Sequence, residues 1–463
     1  MRTRTALVAL TASLMTAGAS AADPVRVNIQ WGRSHQTIVG FGGTMGWIHP
    51  GERIREEVYD LLFTKLGVSF LRIRALGGEG GDELSIEPKN DNNDPNVFNW
   101  PAFPLYITEA KNARTILAAL KRGVKHVMPV TWSPPGWMKE SGKRAGGGTL
   151  KEENLDELAE AWAAYVLGMK REFDIDIRML SIQNEPELSY YYPTCTYEPG
   201  LYARAVKAVQ RRFDRMGARV SVLGPDVCRL YNLERYRDKM LLQGYAERGR
   251  GIWPKPFLVH HYDLSVGYHE VDKDAHVWRK ARELARGTGQ PLWLMETANY
   301  LSYEVRQGSY LEALIWARKI HHALVDGDCE VVCYWALFFD KVGESLVYCR
   351  EDGLNSYQIS HKYYTSMNYY KFVRPGMVRK GAFSADDDLF VSAFENERDA
   401  ARVVVVVNWS HAPKRVTFGT RVDATYERHE TTKERDCERV AFDPANLELP
   451  ARSVTTFVKS AAE

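Results

Sequence analysis

Two glutamates stand where an enzyme built on a sheet keeps its chemistry. Gln183-Asn184-Glu185-Pro186 closes the apolar run DIRMLSIQ (176–183), and Met295-Glu296-Thr297 closes PLWLME (291–296). Facing carboxyls suit cleavage of a glycosidic bond, one protonating the leaving oxygen while the other attacks the anomeric carbon. The acid must later act as base, so its pKa has to stand above that of its partner. Arg72, in VSFLRIRA (68–75), points inward if Ile73 points outward. A buried guanidinium needs an anion, and Glu296 is the natural one. His260 and Tyr262 share one face of PFLVHHY (256–262) by the two-residue period of a strand, so Tyr262 can donate to Glu296. A satisfied core histidine is the competing reading of His260. Trp47, Trp132, Trp137 and Trp335 fall at or just past strand ends, where sugar faces stack; core packing competes, most strongly for Trp137.

The elements that must hold these groups follow a regular alternation. Eight short β-branched runs are interleaved with amphipathic stretches: QTIVGF (36–41), VSFLRIRA (68–75), KHVMPVTW (125–132), DIRMLSIQ (176–183), RVSVLGP (219–225), PFLVHHY (256–262), PLWLME (291–296) and EVVCYWAL (330–337). This is the pattern of an α/β chain folded as a (β/α)8 TIM barrel, with a doubly wound open sheet as runner-up. The two glutamates then end strands four and seven, facing across the barrel mouth. From Phe372 onward strands follow one another without helices, an all-β module that VRVNIQW (25–31) is expected to join. The expected organisation is an export signal over 1–21, a strand of the sandwich over 22–35, the barrel over 36–371 and the β-sandwich over 372–463. GGEGG (77–81) lacks the order of a phosphate cradle, and NDNNDPN (90–96) lacks the glycine and final glutamate of a calcium loop, so it reads as a solvated turn. His321-His322 falls in an outer helix and reads as structural.

Composition narrows the function further. With 61 Lys+Arg against 59 Asp+Glu, the chain lacks the basic face that nucleic acid or an anionic membrane requires. Two early arginines, a short apolar run and Ala19-Ser20-Ala21 form the pattern of a cleaved export signal, implying a secreted or periplasmic protein. No later stretch is long and apolar enough to span a bilayer. Export permits disulfides, and Cys195 and Cys228, both following strands at one barrel end, are the expected pair. Cys329, Cys333, Cys349 and Cys437 show no metal-binding spacing and read as small buried side chains. A metal-dependent hydrolase would need ligands on neighbouring strand ends, and only His260 and Asp263 stand close in sequence. No metal or organic cofactor is called for. A binding protein on a dead hydrolase scaffold would lack a carboxylate, and both are present.

The motifs QTIVGFGGTMGW (36–47), VTWSPPGWMKESG (130–142), SIQNEPEL (181–188), LWLMET (292–297) and YYKFVRPG (369–376) resemble those of glycoside hydrolase family 30. The resemblance covers most of the chain. It implies a retaining β-glycosidase on a (β/α)8 barrel, with a β-sandwich built from both chain ends. By position in these motifs Glu185 is implied as acid/base and Glu296 as nucleophile. Asn184 would contact the sugar 2-hydroxyl, Arg72 would orient Glu296, and Trp132 and Trp335 would line the cleavage point. A retaining pair of carboxyls stands about 5–5.5 Å apart, with Arg72 and Tyr262 expected to keep Glu296 ionised. Gly136 departs from the bulkier residue usual after the double proline. SGKRAGGGTL (141–150) is read either as a solvated loop or as a basic rim for an acidic sugar. Lys341 and Arg350 fall where glucuronoxylanase-like members read a uronate. Xylan, β-1,6-glucan and β-1,6-galactan stay open as substrates, with a glucosylceramidase or a non-catalytic carbohydrate-binding protein as alternatives.

Overall fold

The computed structural model describes residues 23–461 apart from 46, 78–84, 93, 253, 263–270, 299–304, 351–352 and 420. The export segment, most of GGEGG and Asp263 lie outside the described residues. Strand β1 (Val25–Thr37) leads into eight parallel strands: β2 (Gly40–Met45), β3 (Phe70–Arg74), β4 (His126–Val130), β5 (Met179–Ser181), β6 (Ser221–Val227), β7 (Phe257–His260), β8 (Leu292–Glu296) and β9 (Val331–Phe339). Each pairs with its neighbour, and β9 pairs back with β2, closing a TIM barrel as expected. A helix follows every barrel strand. The helix Leu155–Phe173 shows why these segments are helical: Leu158, Trp162, Tyr165 and Met169 recur every three or four residues on its buried face. It stops at Asp174, whose left-handed φ of 55° ends the hydrogen-bonded spiral.

The barrel floor is apolar. Phe70, Met128, Leu223, Leu258 and Trp293 plug it, with Phe70 edge-on to Trp293 at 5.5 Å between ring centroids. Phe70 and Arg72 share the inward face of β3 by the strand period, so one step above the plug the lining becomes charged. Two irregularities then break that period. Between β6 and β7, Pro225 pairs with Leu258 and Val227 with Val259, leaving Asp226 unpaired at φ 59°. Between β7 and β8, Val259 pairs with Leu294 and His260 with Glu296, leaving Met295 as the extra residue. Each bulge turns an acid into the barrel that plain alternation would have aimed elsewhere.

The second unit is a nine-stranded sheet of β1 with β12 (Val378–Ser384), β13 (Leu389–Glu395), β14 (Arg402–Asn408), β15 (Lys414–Thr417), β16 (Glu427–Thr431), β17 (Glu438–Val440), β18 (Leu447–Leu449) and β19 (Ser453–Lys459), in the order β17-β16-β19-β14-β13-β12-β1-β15-β18. It curls over a core of its own that includes Ile29, Val391, Val404, Val416 and Leu449. Val25–Thr37 therefore reaches it from the opposite end of the chain, pairing antiparallel with β12 and parallel with β15. The other face of the sheet meets the barrel helix Tyr310–Val325, where His321 and His322 pack on Phe390 at 5.4 and 5.5 Å. A hairpin of β10 (Ser345–Arg350) and β11 (Gly353–Ile359) extends the sheet beyond β9. No helix among the described residues is long and apolar enough to cross a membrane.

Candidate active site

At the C-terminal ends of the barrel strands, a cavity of ≈ 770 Å³ is lined by Glu185, Glu296, Trp47, Trp132, Trp335, Tyr262 and the loops around them. An oxygen of each glutamate and a ring nitrogen of His260 lie within 4.8 Å of one another. Glu185 adopts φ 48°, a left-handed conformation that an unbranched acid takes only at a cost. Its backbone is held there by a bond from Glu185 N to Asp226 O at 3.0 Å, and Asn184 N donates to Thr131 O at 2.8 Å.

Arg72 is the hub beneath the pair. Fully buried, it donates to Glu296 Oε2 at 2.6 Å, Asn184 Oδ1 at 2.6 Å, Asp226 Oδ2 at 2.9 Å and Thr44 Oγ1 at 3.3 Å. Tyr262 donates to the other oxygen of Glu296 at 3.0 Å. His260 bridges Glu185 Oε1 through Nδ1 and Asp226 Oδ1 through Nε2, each at 3.0 Å. Burial disfavours charge on His260, but Glu296 and Asp226 outweigh it and raise its pKa to about 10. Asp226 pays the same burial penalty, and Arg72 and His260 reverse it, holding the carboxyl down at about 2. Burial pushes Glu296 up to about 7, against the opposing charges of His260 and Arg72. The expectation that Arg72 and Tyr262 hold Glu296 low is thus corrected: both touch it, yet burial outweighs them.

The two ring nitrogens of His260 face carboxylates at opposite ends, Nδ1 toward Glu185 and Nε2 toward Asp226, so the ring ties the two acids together. Above the charges, Trp132 stacks edge-on to Trp47 at 5.6 Å and tilts against Trp335 at 5.9 Å, while the Arg72 guanidinium sits 5.0 Å from the Trp132 ring. The indole N–H of Trp335 donates to Glu344 at 2.9 Å. Buried Asn184 Nδ2 has no protein acceptor, which leaves a donor next to Glu185 in the chain.

The structure thus gathers Glu185, Glu296, Asn184, Arg72, His260, Tyr262, Trp47, Trp132 and Trp335 around one cavity. Trp137 is not among them; its indole donates to Glu87 O at 3.0 Å in a neighbouring loop. The expected Cys195–Cys228 disulfide is absent, and both are free buried thiols. They follow neighbouring strands but occupy different surroundings. Cys195 Sγ points at Thr196 O, at 3.8 Å, whereas Cys228 lies at the cavity wall beside Glu185. In the loop 141–150, Arg144 is buried and Lys143 exposed, so little of a basic rim remains. Lys341 lines the cavity and faces Glu344 at 3.6 Å; the side chain of Arg350 lies outside the described part.

Sequence reasoning missed Asp226 and the tyrosines 190–192. An acid directly after the apolar run RVSVLGP (219–225) was the signal for Asp226; the bulge that turns it inward has none. The three tyrosines follow the Asn-Glu-Pro motif within six residues and line the same cavity.

Residues 90–195 match the model of the glycosyl hydrolase family 30 TIM-barrel domain. The chain is 24% identical over 448 residues to the glucuronoxylanase XynC of Bacillus subtilis, covering 95% of this chain and 92% of that one. Among solved structures, the family 30 subfamily 8 xylanase Xyn30A from Clostridium acetobutylicum superposes with a TM-score of 0.70 at 19% identity, over 94% of this chain and 99% of that one. The endo-β1,6-glucanase BT3312 superposes with a TM-score of 0.68 at 17% identity, over 96% and 95%.

Proposed function

The chain belongs to glycoside hydrolase family 30 and is a glycoside hydrolase, and on that premise we propose a retaining β-glycosidase acting on a β-linked polysaccharide, xylan first among the candidates. The observation that carries the retaining reading is the approach of the Glu185 and Glu296 oxygens to within 4.8 Å. Inverting pairs stand about 6.5–9.5 Å apart to admit a water between them, whereas retaining pairs stand about 5–5.5 Å apart. Xylan leads because the chain is similar over 95% of its length to a glucuronoxylanase.

In this reading Glu296 attacks the anomeric carbon, the bond to the leaving oxygen breaks, and Glu185 gives that oxygen its proton. The protonated His260 donates to Glu185 Oε1, so the proton to be transferred sits on the other oxygen. Arg72 and Tyr262 fix the two oxygens of Glu296 for attack. Water then attacks the glycosyl ester, Glu185 takes its proton, and Glu296 leaves as carboxylate. Asn184, with its spare donor, meets the sugar 2-hydroxyl, and Trp132 and Trp335 flank the ring. Residues 1–21 have the form of an export signal, consistent with a substrate too large to enter a cell.

The test is a panel of glucuronoxylan, neutral xylan, β-1,6-glucan, β-1,6-galactan and glucosylceramide, with products followed by NMR and mass. Release of sugar from xylan as the β-anomer, lost in Glu296→Gln, is expected. A first-formed α-anomer would refute the retaining mechanism, and activity that survives in Glu296→Gln would refute the nucleophile.

A further inference from the structure

The chain that carries Glu185 runs on into Tyr190, Tyr191 and Tyr192, whose rings cluster with centroids 4.7 to 5.5 Å apart. Tyr191 is 76% exposed and Tyr190 51%, yet both line the cavity that holds the two glutamates. Rings kept in water beside a cleft form an apolar patch waiting to be covered. They are also held in place. Buried Lys139 donates to Thr194 O at 2.7 Å and to Arg144 O at 2.9 Å, tying this loop to the one after β4. Tyr190 N donates to Thr194 Oγ1 at 3.2 Å, and Ala145 bridges to Pro193. A braced ring loses little freedom on binding, so its contact area is converted to affinity efficiently.

Position decides what such a platform meets. Glu185 faces the leaving oxygen, so the segment that directly follows it flanks the leaving group. The charged hub and the Trp132–Trp335 pair lie at the cleavage point itself. Tyrosine rather than leucine or phenylalanine suits a ring with an apolar C–H face and a hydroxylated rim, because the phenol hydroxyl has a partner at that rim. We propose that Tyr190 and Tyr191 form a stacking subsite for a sugar ring on the leaving-group side, so that the leaving group is a further sugar of the chain and not a lipid or a simple alcohol. The inference rests on the reading of Glu185 as acid/base.

The experiment compares two leaving groups on one glycone: xylohexaose with β-xylobiosyl fluoride, and the β-1,6-linked glucohexaose with β-gentiobiosyl fluoride. Fluoride is a single atom and reaches no subsite beyond the cleavage point. Replacing both Tyr190 and Tyr191 by alanine is expected to raise KM for the hexaose about tenfold, the loss of one good stacking contact. Kinetics on the fluoride stay within about twofold, and Tyr191→Phe, which keeps the stacking face and loses only the hydroxyl, raises KM for the hexaose less than the double alanine does. Equal losses on hexaose and fluoride would mean a structural role and overturn the subsite, as would unchanged KM on the hexaose. A parent enzyme that cleaves the fluorides but neither hexaose would overturn the sugar leaving group while leaving the glycosidase reading intact. Inactivity on all four would overturn both.

Discussion

Glu296 and Glu87 are buried glutamates of the same barrel, and the company each keeps differs sharply. Around Glu296, three carboxylates share two cations: Arg72 contacts Glu296 and Asp226, and His260 contacts Glu185 and Asp226. Around Glu87 gather Asp91, Glu157 and Glu160, and no ion pair reaches any of the four among the described residues. Glu157 and Glu160 meet side chain to side chain through a hydrogen bond, and one buried oxygen each of Glu87 and Asp91 has no donor among the described residues. Burial raises Glu87 to about 9 and Glu160 to about 8, with their acidic neighbours adding to the shift. Burial raises Glu296 as well, but the two cations stop it at about 7. Burial alone neutralises an acid; burial beside a cation keeps a charge available for chemistry.

The sharpest way to break this contrast is to make the cluster around Glu296 resemble the one around Glu87. Arg72→Met removes the cation at nearly constant volume and leaves Glu296 and Asp226 with His260 alone. A loss of about 10³-fold in kcat/KM is expected, the size seen when a preorganised electrostatic contact is removed. The pH–rate profile separates charge loss from misfolding. In the proposed mechanism Glu296 must be ionised to attack, so in the parent kcat/KM is expected to fall about tenfold per pH unit below about 7. In Arg72→Met that acid limb moves to higher pH. A limb that stays in place would show that Arg72 only positions Glu296.

Much of the cluster around Glu185 and Glu296 was legible in the sequence, and the reasons are specific. The inward aim of Arg72 follows from the period of β3 and the floor residue Phe70 two positions earlier. Glu185 and Glu296 stood at the ends of apolar runs, where a parallel barrel keeps its chemistry. Asp226 was not legible, because a bulge at φ 59° breaks the alternation on which that reasoning depends. The rise of Glu296 was not legible for a related reason: contacts with Arg72 and Tyr262 could be inferred from strand faces, but the depth of its burial could not. The disulfide failed because sharing a barrel end says nothing about where two thiols point. The Glu87 cluster joins the end of one loop to a helix some seventy residues on, a meeting that only the fold reveals.

Stability measurements probe the other half of the contrast. Glu87 has an ordinary pKa near 4.5 when unfolded and about 9 when folded. Below pH 4.5 it is protonated in both states and costs nothing; as pH rises toward 9 the unfolded chain releases a proton that the folded one retains, and stability falls. Glu87→Gln should therefore gain about 2 kcal/mol at pH 8, read as a rise of several degrees in Tm, and almost nothing at pH 4. An equal gain at both pH values would place the effect in packing instead of charge.

Asp91→Asn asks what the peripheral cluster owes to mutual repulsion. Burial is the largest cause of the shifts of both Glu87 and Glu160, and the charge of Asp91 comes after it. Removing that charge while keeping a similar shape should lower both pKa values slightly and gain only about 0.5 kcal/mol at pH 8. The side chain also accepts from Asn99 N at 2.8 Å through Oδ2, a bond that the asparagine oxygen can retain. A gain from Asp91→Asn as large as that from Glu87→Gln would mean that repulsion among the acids outweighs desolvation. The two clusters would then differ in how many like charges they crowd together, and the presence of Arg72 and His260 would matter as neutralisation of that crowd. A small gain keeps the distinction where the structure puts it, in whether a buried carboxylate has a cation within reach.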